Sequence, residues 1–281
     1  MMSSAVAYIT SHKGGCFMKL GFIGCGNMAK AIIKGIVSSD LVPTSDICGS
    51  NASEVHAKAS AEELGISTST NNLTVVEKSD IIFLSVKPYQ YADVIAEIKD
   101  AVREDQIIVT IAPGKTIAWL TEQFGKPTKI IRTAPNTPAL VGEGLTAYHA
   151  NELVSEDEAA YVVRLLESFG SALELKESLL DVSATVGGSS PAYVYMFIEA
   201  MADSGVAEGL PRAQAYEISA QAVLGAAKMV LESGKHPGEL KDQVTSPSGS
   251  TIEGVQVLDE RGFRGTVIAA LRTAVAKARS L

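Results

Sequence analysis

The sequence predicts an α/β domain with a mostly parallel sheet, followed by a domain built only of helices. Three observations carry that expectation. Over the first two-thirds of the chain, short β-type runs alternate with helical patterns, as in successive βαβ units. One run, Asp80-Ile81-Ile82-Phe83-Leu84-Ser85-Val86, is apolar almost throughout, as suits a central strand covered on both faces. After about Lys176 the strand-like runs stop and the text becomes Ala-rich and helical.

Residues 1–17 hold one brief apolar patch, residues 5–9, which is short for a signal segment, so a flexible leader is expected there. Residues 19–23 read as the first strand, and the folded chain is expected to begin at Met18. A helical pattern over 27–38 leads to a strand at 46–49, a helix at 54–64 and the apolar strand at 80–86. A helix over 89–102, strands at 107–111 and 129–133, and a strand at 145–149 follow. A helix over 156–169 and an edge strand at 171–175 close the first domain, expected over residues 18–176. The second domain is expected over 177–281. Its helical patterns cover 191–204, 212–232, 252–258 and 266–281, with breaks at Gly187, Gly188, Gly205, Gly209, Gly234 and Gly238. These helices carry apolar residues on more than one face, so they are expected to bury against a partner subunit.

The bulk numbers narrow the function. With 46% hydrophobic residues in 281, the chain can build a proper core. Lys+Arg of 24 against Asp+Glu of 32 gives a net charge of −8, which argues against nucleic acid and anionic membrane surfaces as partners. No apolar run reaches the roughly 18–20 residues that cross a bilayer. Cys16, Cys25 and Cys48 show neither metal nor redox spacing, which fits a reducing compartment, the cytoplasm. His12, His56, His149 and His236 form no catalytic triad and no metal-ligand set, so no metal is expected and hydrolysis is disfavoured.

Two stretches promise anion sites. Gly24-Cys25-Gly26-Asn27-Met28-Ala29 fits G-x-G-x-x-A directly after a strand and at the start of a helix, the phosphate-binding turn of a Rossmann-like dinucleotide domain. The end of the second strand reads Gly49-Ser50-Asn51-Ala52-Ser53, with no carboxylate to hold a ribose 2′-hydroxyl; Ser50, Asn51 and Ser53 suit a 2′-phosphate, although the arginine typical of NADP sites is missing. Ser53 serves an N-cap equally well. Ser85-Val86-Lys87-Pro88, Ile111-Ala112-Pro113-Gly114 and Arg132-Thr133-Ala134-Pro135-Asn136-Thr137-Pro138 end three further strands at the rim where ligands sit in open α/β sheets. The second anion stretch, residues 242–254 (DQVTSPSGSTIEG), is a turn that runs into a helix start and aims several backbone N–H groups at one spot.

Together these motifs resemble the Δ1-pyrroline-5-carboxylate reductases from about Lys19 to the C-terminus. The most specific likeness lies in Gly188-Ser189-Ser190-Pro191-Ala192-Tyr193, Glu199-Ala200, Gly205-Val206, Gly209-Leu210, Gly225-Ala226-Ala227-Lys228-Met229, His236-Pro237, Leu240-Lys241-Asp242 and Val244-Thr245-Ser246-Pro247. The resemblance implies a Rossmann-like N-terminal domain, an all-helical dimerisation domain, and a homodimer or a higher assembly of dimers. It implies NAD(P)H-dependent reduction of the cyclic imine 1-pyrroline-5-carboxylate to L-proline; the residues at the end of the second strand favour NADPH, with NADH as the alternative. Carried over by position, the cofactor would contact Gly24, Cys25, Gly26, Asn27, Met28, Asn51, Asn72, Ser85, Val86, Lys87, Pro88, Ala112, Pro113, Gly114 and Gln243. The substrate would meet Glu177, Ser246, Ser248, Gly249, Ser250 and Thr251, with Thr251 also near the ring nitrogen. Departures from the family pattern are Ser248 for a glycine, Ser250 for a threonine, Ser190 for a glycine and Pro113 for an alanine. A β-hydroxyacid dehydrogenase of similar build would need a catalytic lysine in the helical domain, where Lys228 falls on the reductase motif instead.

Overall fold

The computed structural model describes residues 18–278. The expected leader over 1–17 and the last three residues of the expected terminal helix lie outside the described residues. The chain divides into two compact units. Among the described residues, one holds residues 18–188 together with Ala278; the other spans Ser189–Lys277.

The first unit is built on one sheet of β1 (Leu20–Ile23), β2 (Ile47–Ser50), β3 (Ser67–Ser69), β4 (Ile81–Leu84), β5 (Ile107–Thr110), β6 (Lys129–Pro135), β7 (Gly144–Ala150) and β8 (Gly170–Glu174). The strand order is β3-β2-β1-β4-β5-β6-β7-β8. Every pairing from β3 to β6 is parallel, β7 runs antiparallel to β6, and β8 is parallel to β7. The reversal at β7 has a chain-length cause. Only a 3₁₀ turn, Thr137–Val141, joins β6 to β7, too little chain for the crossover that a parallel return needs.

Helices α1 (Asn27–Ser38), α2 (Glu54–Leu64), α3 (Asn72–Lys78), α4 (Tyr91–Ile98), α5 (Ile117–Phe124) and α6 (Glu156–Glu167) connect the strands. The two-residue period of the strands feeds two cores. Leu20, Phe22, Ile81, Phe83, Ile107, Val109 and Ile131 join Ile32, Ile33 and Ile36 of α1 and Val162, Leu165 and Leu166 of α6. Ile23, Ile82, Leu84, Ile108 and Ile130 join Val75, Val76, Ile95, Ile98, Leu120 and Phe124 on the other face. Phe22 and Phe83 stack across the central pair, with centroids 4.6 Å apart.

The sequence reading passed over β3, α3 and α5. β3 is three residues of Ser and Thr, with no apolar signal to find. α5 did leave one: Thr116 caps its first turn by accepting from the Trp119 N–H, and Gly125 ends it in the left-handed region. The expected helix over 89–102 is shorter, a 3₁₀ turn Pro88–Gln90 followed by α4.

A larger correction concerns α7 (Glu177–Ala207). The sequence predicts breaks at Gly187, Gly188 and Gly205, with a helix only over 191–204; instead one helix of 31 residues runs through all of these positions. Pro191 has no N–H to give the Gly187 carbonyl four residues back. Asn136 Nδ2 donates to that carbonyl at 3.0 Å, and Asn136 Oδ1 accepts the Leu145 N–H at 2.8 Å.

The second unit continues α7 and adds α8 (Arg212–Ser233), α9 (Pro237–Gln243), α10 (Ser250–Glu260) and most of α11 (Phe263–Ala278), with no strand among its described residues. It hides little of its own apolar surface. In α8 only Ala215 and Ser219 are buried, and α9, α10 and α11 bury nothing. Tyr195, Met196 and Leu231 stand 63%, 68% and 84% exposed. Surface this apolar marks an association face.

Tyr91 ties the central strands. It is fully buried, its hydroxyl donates to the Leu84 carbonyl at 2.5 Å and accepts from Thr110 Oγ1 at 2.9 Å. Burial pushes its pKa up to about 12, so the hydroxyl stays a neutral bridge between β4 and β5. Tyr91→Phe strands both partners and is expected to lower the unfolding free energy by about 1–3 kcal/mol, read as a lower urea midpoint at unchanged slope.

Candidate functional site

The glycine turn after β1 is shaped before any ligand arrives. Gly24 sits at φ +93°, and a Cβ there would stand 2.8 Å from Val86 Cγ1 and 3.0 Å from the Val86 nitrogen. Only glycine fits. The Gly24 and Cys25 N–H groups both donate to the Ser50 carbonyl at 3.1 Å. Those two donors, expected to face an anion, are therefore spent on closing the turn, and the open donors begin at Gly26. Gly26 caps α1 without a side-chain hydrogen bond, and a Cβ built on it meets nothing within 4 Å. Protein packing does not explain the glycine; open space at a helix N-terminus does, and that is the shape a diphosphate needs. The Cys25 thiol is buried, and burial pushes its pKa up to about 11, so no thiolate opposes an anion there. Asn27 is exposed, while half-buried Met28 packs into the core beneath the turn.

At the tip of β2 the three expected polar contacts separate. Ser50 is buried and its Oγ donates to Asn72 Oδ1 at 2.6 Å, while Asn72 Nδ2 donates to Glu97 at 2.8 Å. Ser53 caps α2 by accepting the His56 N–H. Asn51 alone keeps a side-chain oxygen that is buried and has no hydrogen-bond partner. A buried polar atom in that state marks a place for a missing donor.

Three further strand ends share the rim. After β4, the Ser85 N–H donates to the Ile23 carbonyl at 2.9 Å, and exposed Lys87 precedes the Pro88–Gln90 turn. After β5, Ala112 is buried, Pro113 and Gly114 are exposed, and Gly114 turns at φ +73°. At β6, Arg132 is 3% exposed and pairs with Glu177 at 3.3 Å and Asp181 at 2.5 Å. Glu177, expected to touch substrate, also accepts the Ile117 N–H at 2.7 Å. Sequence reasoning named the strand end but missed Arg132 and Asp181 as a pair. The available signal was a single charge inside the apolar run Ile130-Ile131-Arg132, which burial obliges to find a partner.

In the second unit, the Gly249 N–H donates to the Ser246 carbonyl at 3.0 Å, and Gly249 starts α10 with no side-chain cap. Ser248 lies at φ +57°, where glycine is at home. Ser246, Ser248, Ser250 and Thr251 are exposed on the single chain. Gln243 ends α9, with its amide donating to Glu239 at 3.1 Å. Among the described residues no group of acids, histidines and cysteines forms a metal cluster, and no helix is long and apolar enough to cross a membrane.

Two family models match the chain: pyrroline-5-carboxylate reductase dimerisation over residues 177–281, and NADP oxidoreductase, coenzyme F420-dependent, over residues 19–114. A pyrroline-5-carboxylate reductase from Escherichia coli K12 is 46% identical over 263 residues, covering 94% of this chain and 98% of the relative. The solved pyrroline-5-carboxylate reductase of Coxiella burnetii superposes with a TM-score of 0.88 at 32% identity, over 94% of this chain and 98% of that one. A Plasmodium falciparum pyrroline carboxylate reductase solved with NADP bound gives 0.83 at 32% identity, over 94% and 97%.

Two substitutions test the turns. Gly26→Ala is expected to leave thermal stability unchanged, because its Cβ meets no protein atom, yet to weaken nicotinamide dinucleotide binding about tenfold or more by fluorescence titration. Ser248→Gly relieves a left-handed serine and is expected to raise the unfolding free energy by about 0.5–1 kcal/mol in urea titration.

Proposed function

The chain belongs to the pyrroline-5-carboxylate reductase family, which reduces 1-pyrroline-5-carboxylate to L-proline in the last step of proline biosynthesis, and we propose that it does so with NADPH in preference to NADH. The observation that carries the reading is a pair of uncapped helix starts, α1 behind Gly26 and α10 behind Gly249. One suits the diphosphate of a dinucleotide, the other a small carboxylate.

Bound in the sheet-bearing unit, the cofactor supplies the hydride that turns the imine C=N into an amine. The backbone donors of Gly26, Asn27 and Met28 take the diphosphate. Gly24 and Cys25 hold that turn closed, and Asn72 supports it through Ser50. Asn51 offers its unpartnered oxygen to a ribose hydroxyl; that no carboxylate stands at the strand tip to repel a 2′-phosphate supports the NADPH preference. Ser85, Val86, Lys87, Pro88, Ala112, Pro113 and Gly114 border the rest of the cofactor, and Gln243 is a further proposed cofactor contact.

The substrate carboxylate docks on the N–H groups of Ser248, Ser250 and Thr251, while Gly249, its N–H spent on the Ser246 carbonyl, and Ser246 shape the turn. Thr251 Oγ1 accepts from the ring N–H, and the Glu177 carboxylate favours the positive charge of the protonated imine. Because the imine arrives protonated, the protein needs no strong acid; orientation and exclusion of water carry the rate. The exposed apolar helices are covered by a second copy of the chain, in a homodimer or a higher assembly of dimers. The cytoplasm suits the free thiols of Cys25 and Cys48.

The reading is tested by following NADPH and NADH consumption with 1-pyrroline-5-carboxylate. Substrate-dependent turnover, with the higher kcat/KM for NADPH, supports it; cofactor binding without turnover refutes it. Thr251→Ala is expected to lower kcat/KM by about 10–100-fold, or about 1.4–3 kcal/mol of transition-state stabilisation. Unchanged kinetics would remove Thr251 from the mechanism.

A further inference from the structure

The Arg132 cluster carries more than the pairing of charges. Arg132 is nearly fully buried, whereas its two acids are 28% and 36% exposed and stand one helical turn apart at the start of α7. Each acid also holds a backbone donor from the stretch that runs from the turn after β5 to the first residue of α5. Glu177 Oε1 accepts the Ile117 N–H at 2.7 Å, and Asp181 Oδ1 accepts the Gly114 N–H at 3.4 Å. One buried cation thus fixes two carboxylates, and they fix that stretch at two points, three residues apart.

The parts suit that task. A guanidinium is a rigid fork that holds two carboxylates in set directions, which the point charge of a lysine does not. Ala112 anchors one end of the turn in the core, whereas Gly114, at φ +73°, is exposed and a Cβ there meets nothing within 4 Å. Its N–H donates to Asp181 at 3.4 Å, the contact that links this end of the turn to the Arg132 cluster.

We infer that Arg132 is a positioning residue for cofactor binding: acting through Asp181, it holds the turn 112–114 in the conformation that receives the reduced nicotinamide cofactor. It touches neither cofactor nor substrate. The inference rests on the cofactor contacts proposed above for Ala112, Pro113 and Gly114.

Asp181→Ala is the primary test, because Arg132 keeps Glu177 as a partner and position 181 is partly exposed. Titration of the full-length variant with NADPH alone, followed by fluorescence, is expected to show affinity about tenfold lower than wild type. In steady-state assays KM for NADPH rises in parallel, while KM for the imine stays within about twofold, since its carboxylate is held elsewhere. Arg132→Lys keeps the charge but loses the fork, and is expected to shift NADPH affinity in the same direction. A merely structural role gives a different signature: a lower melting temperature and lower kcat, with NADPH affinity unchanged. That result in Asp181→Ala overturns the inference. If the wild-type protein binds NADPH but does not reduce the imine, the proposed reaction fails while the titration still decides the role of Arg132.

Discussion

Parallel pairing in register sets almost everything at the rim of the sheet. Ser50, Ile23, Leu84, Thr110 and Arg132 lie in one row across β2, β1, β4, β5 and β6. The strands β2, β1, β4 and β5 end at this row and β6 runs on to Pro135, so the turns that follow them gather at one edge of the sheet. The hydrogen bonds that set the turns cross this row. Gly24 and Cys25 bond to Ser50, Ser85 to Ile23, and Thr133 Oγ1 to the Thr110 carbonyl at 2.8 Å. Tyr91 bridges Leu84 and Thr110. A slip of one residue between any two strands would exchange their core faces and scatter the turns together.

The chain is acidic, at −8, yet both candidate ligands are anions. It offers them backbone N–H groups at helix starts instead of a basic surface. Such donors are fixed by the fold and lose no side-chain entropy on binding. The two helix starts reach that state by the same route. A residue at positive φ, Gly24 before α1 and Ser248 before α10, bends the chain, and a glycine then begins the helix without a side-chain cap. The serine at 248 carries backbone strain that a glycine would not.

The helical half is an incomplete fold on its own terms. A helix that buries nothing, as α10 and α11 do here, gains little from tertiary packing, and isolated helices of that length are marginal in water. Its stability therefore depends on what covers its apolar faces, and the match to a reductase dimerisation model over residues 177–281 is consistent with that dependence.

The sequence alone determined the local elements whose cause is local. The strand–turn–helix from Leu20 to Ser38, the apolar β4 and the switch to helices after Lys176 all follow from residue pattern, because periodicity and turn chemistry act over a few positions. The turn around Ser248 and the helix start behind it were legible for the same reason, down to the positive φ at which the serine stands. The tertiary structure decided what depends on groups distant in sequence. Asn136 satisfies the carbonyl that Pro191 orphans 51 residues from it, so a helix continues where the sequence reads a break. Ser50 turns to Asn72, leaving Asn51 as the open contact. Arg132 finds its carboxylates 45 and 49 residues on, at the start of α7. No window of local sequence contains both members of such pairs; only the folded sheet, by bringing strand ends and helix starts to one rim, makes them neighbours.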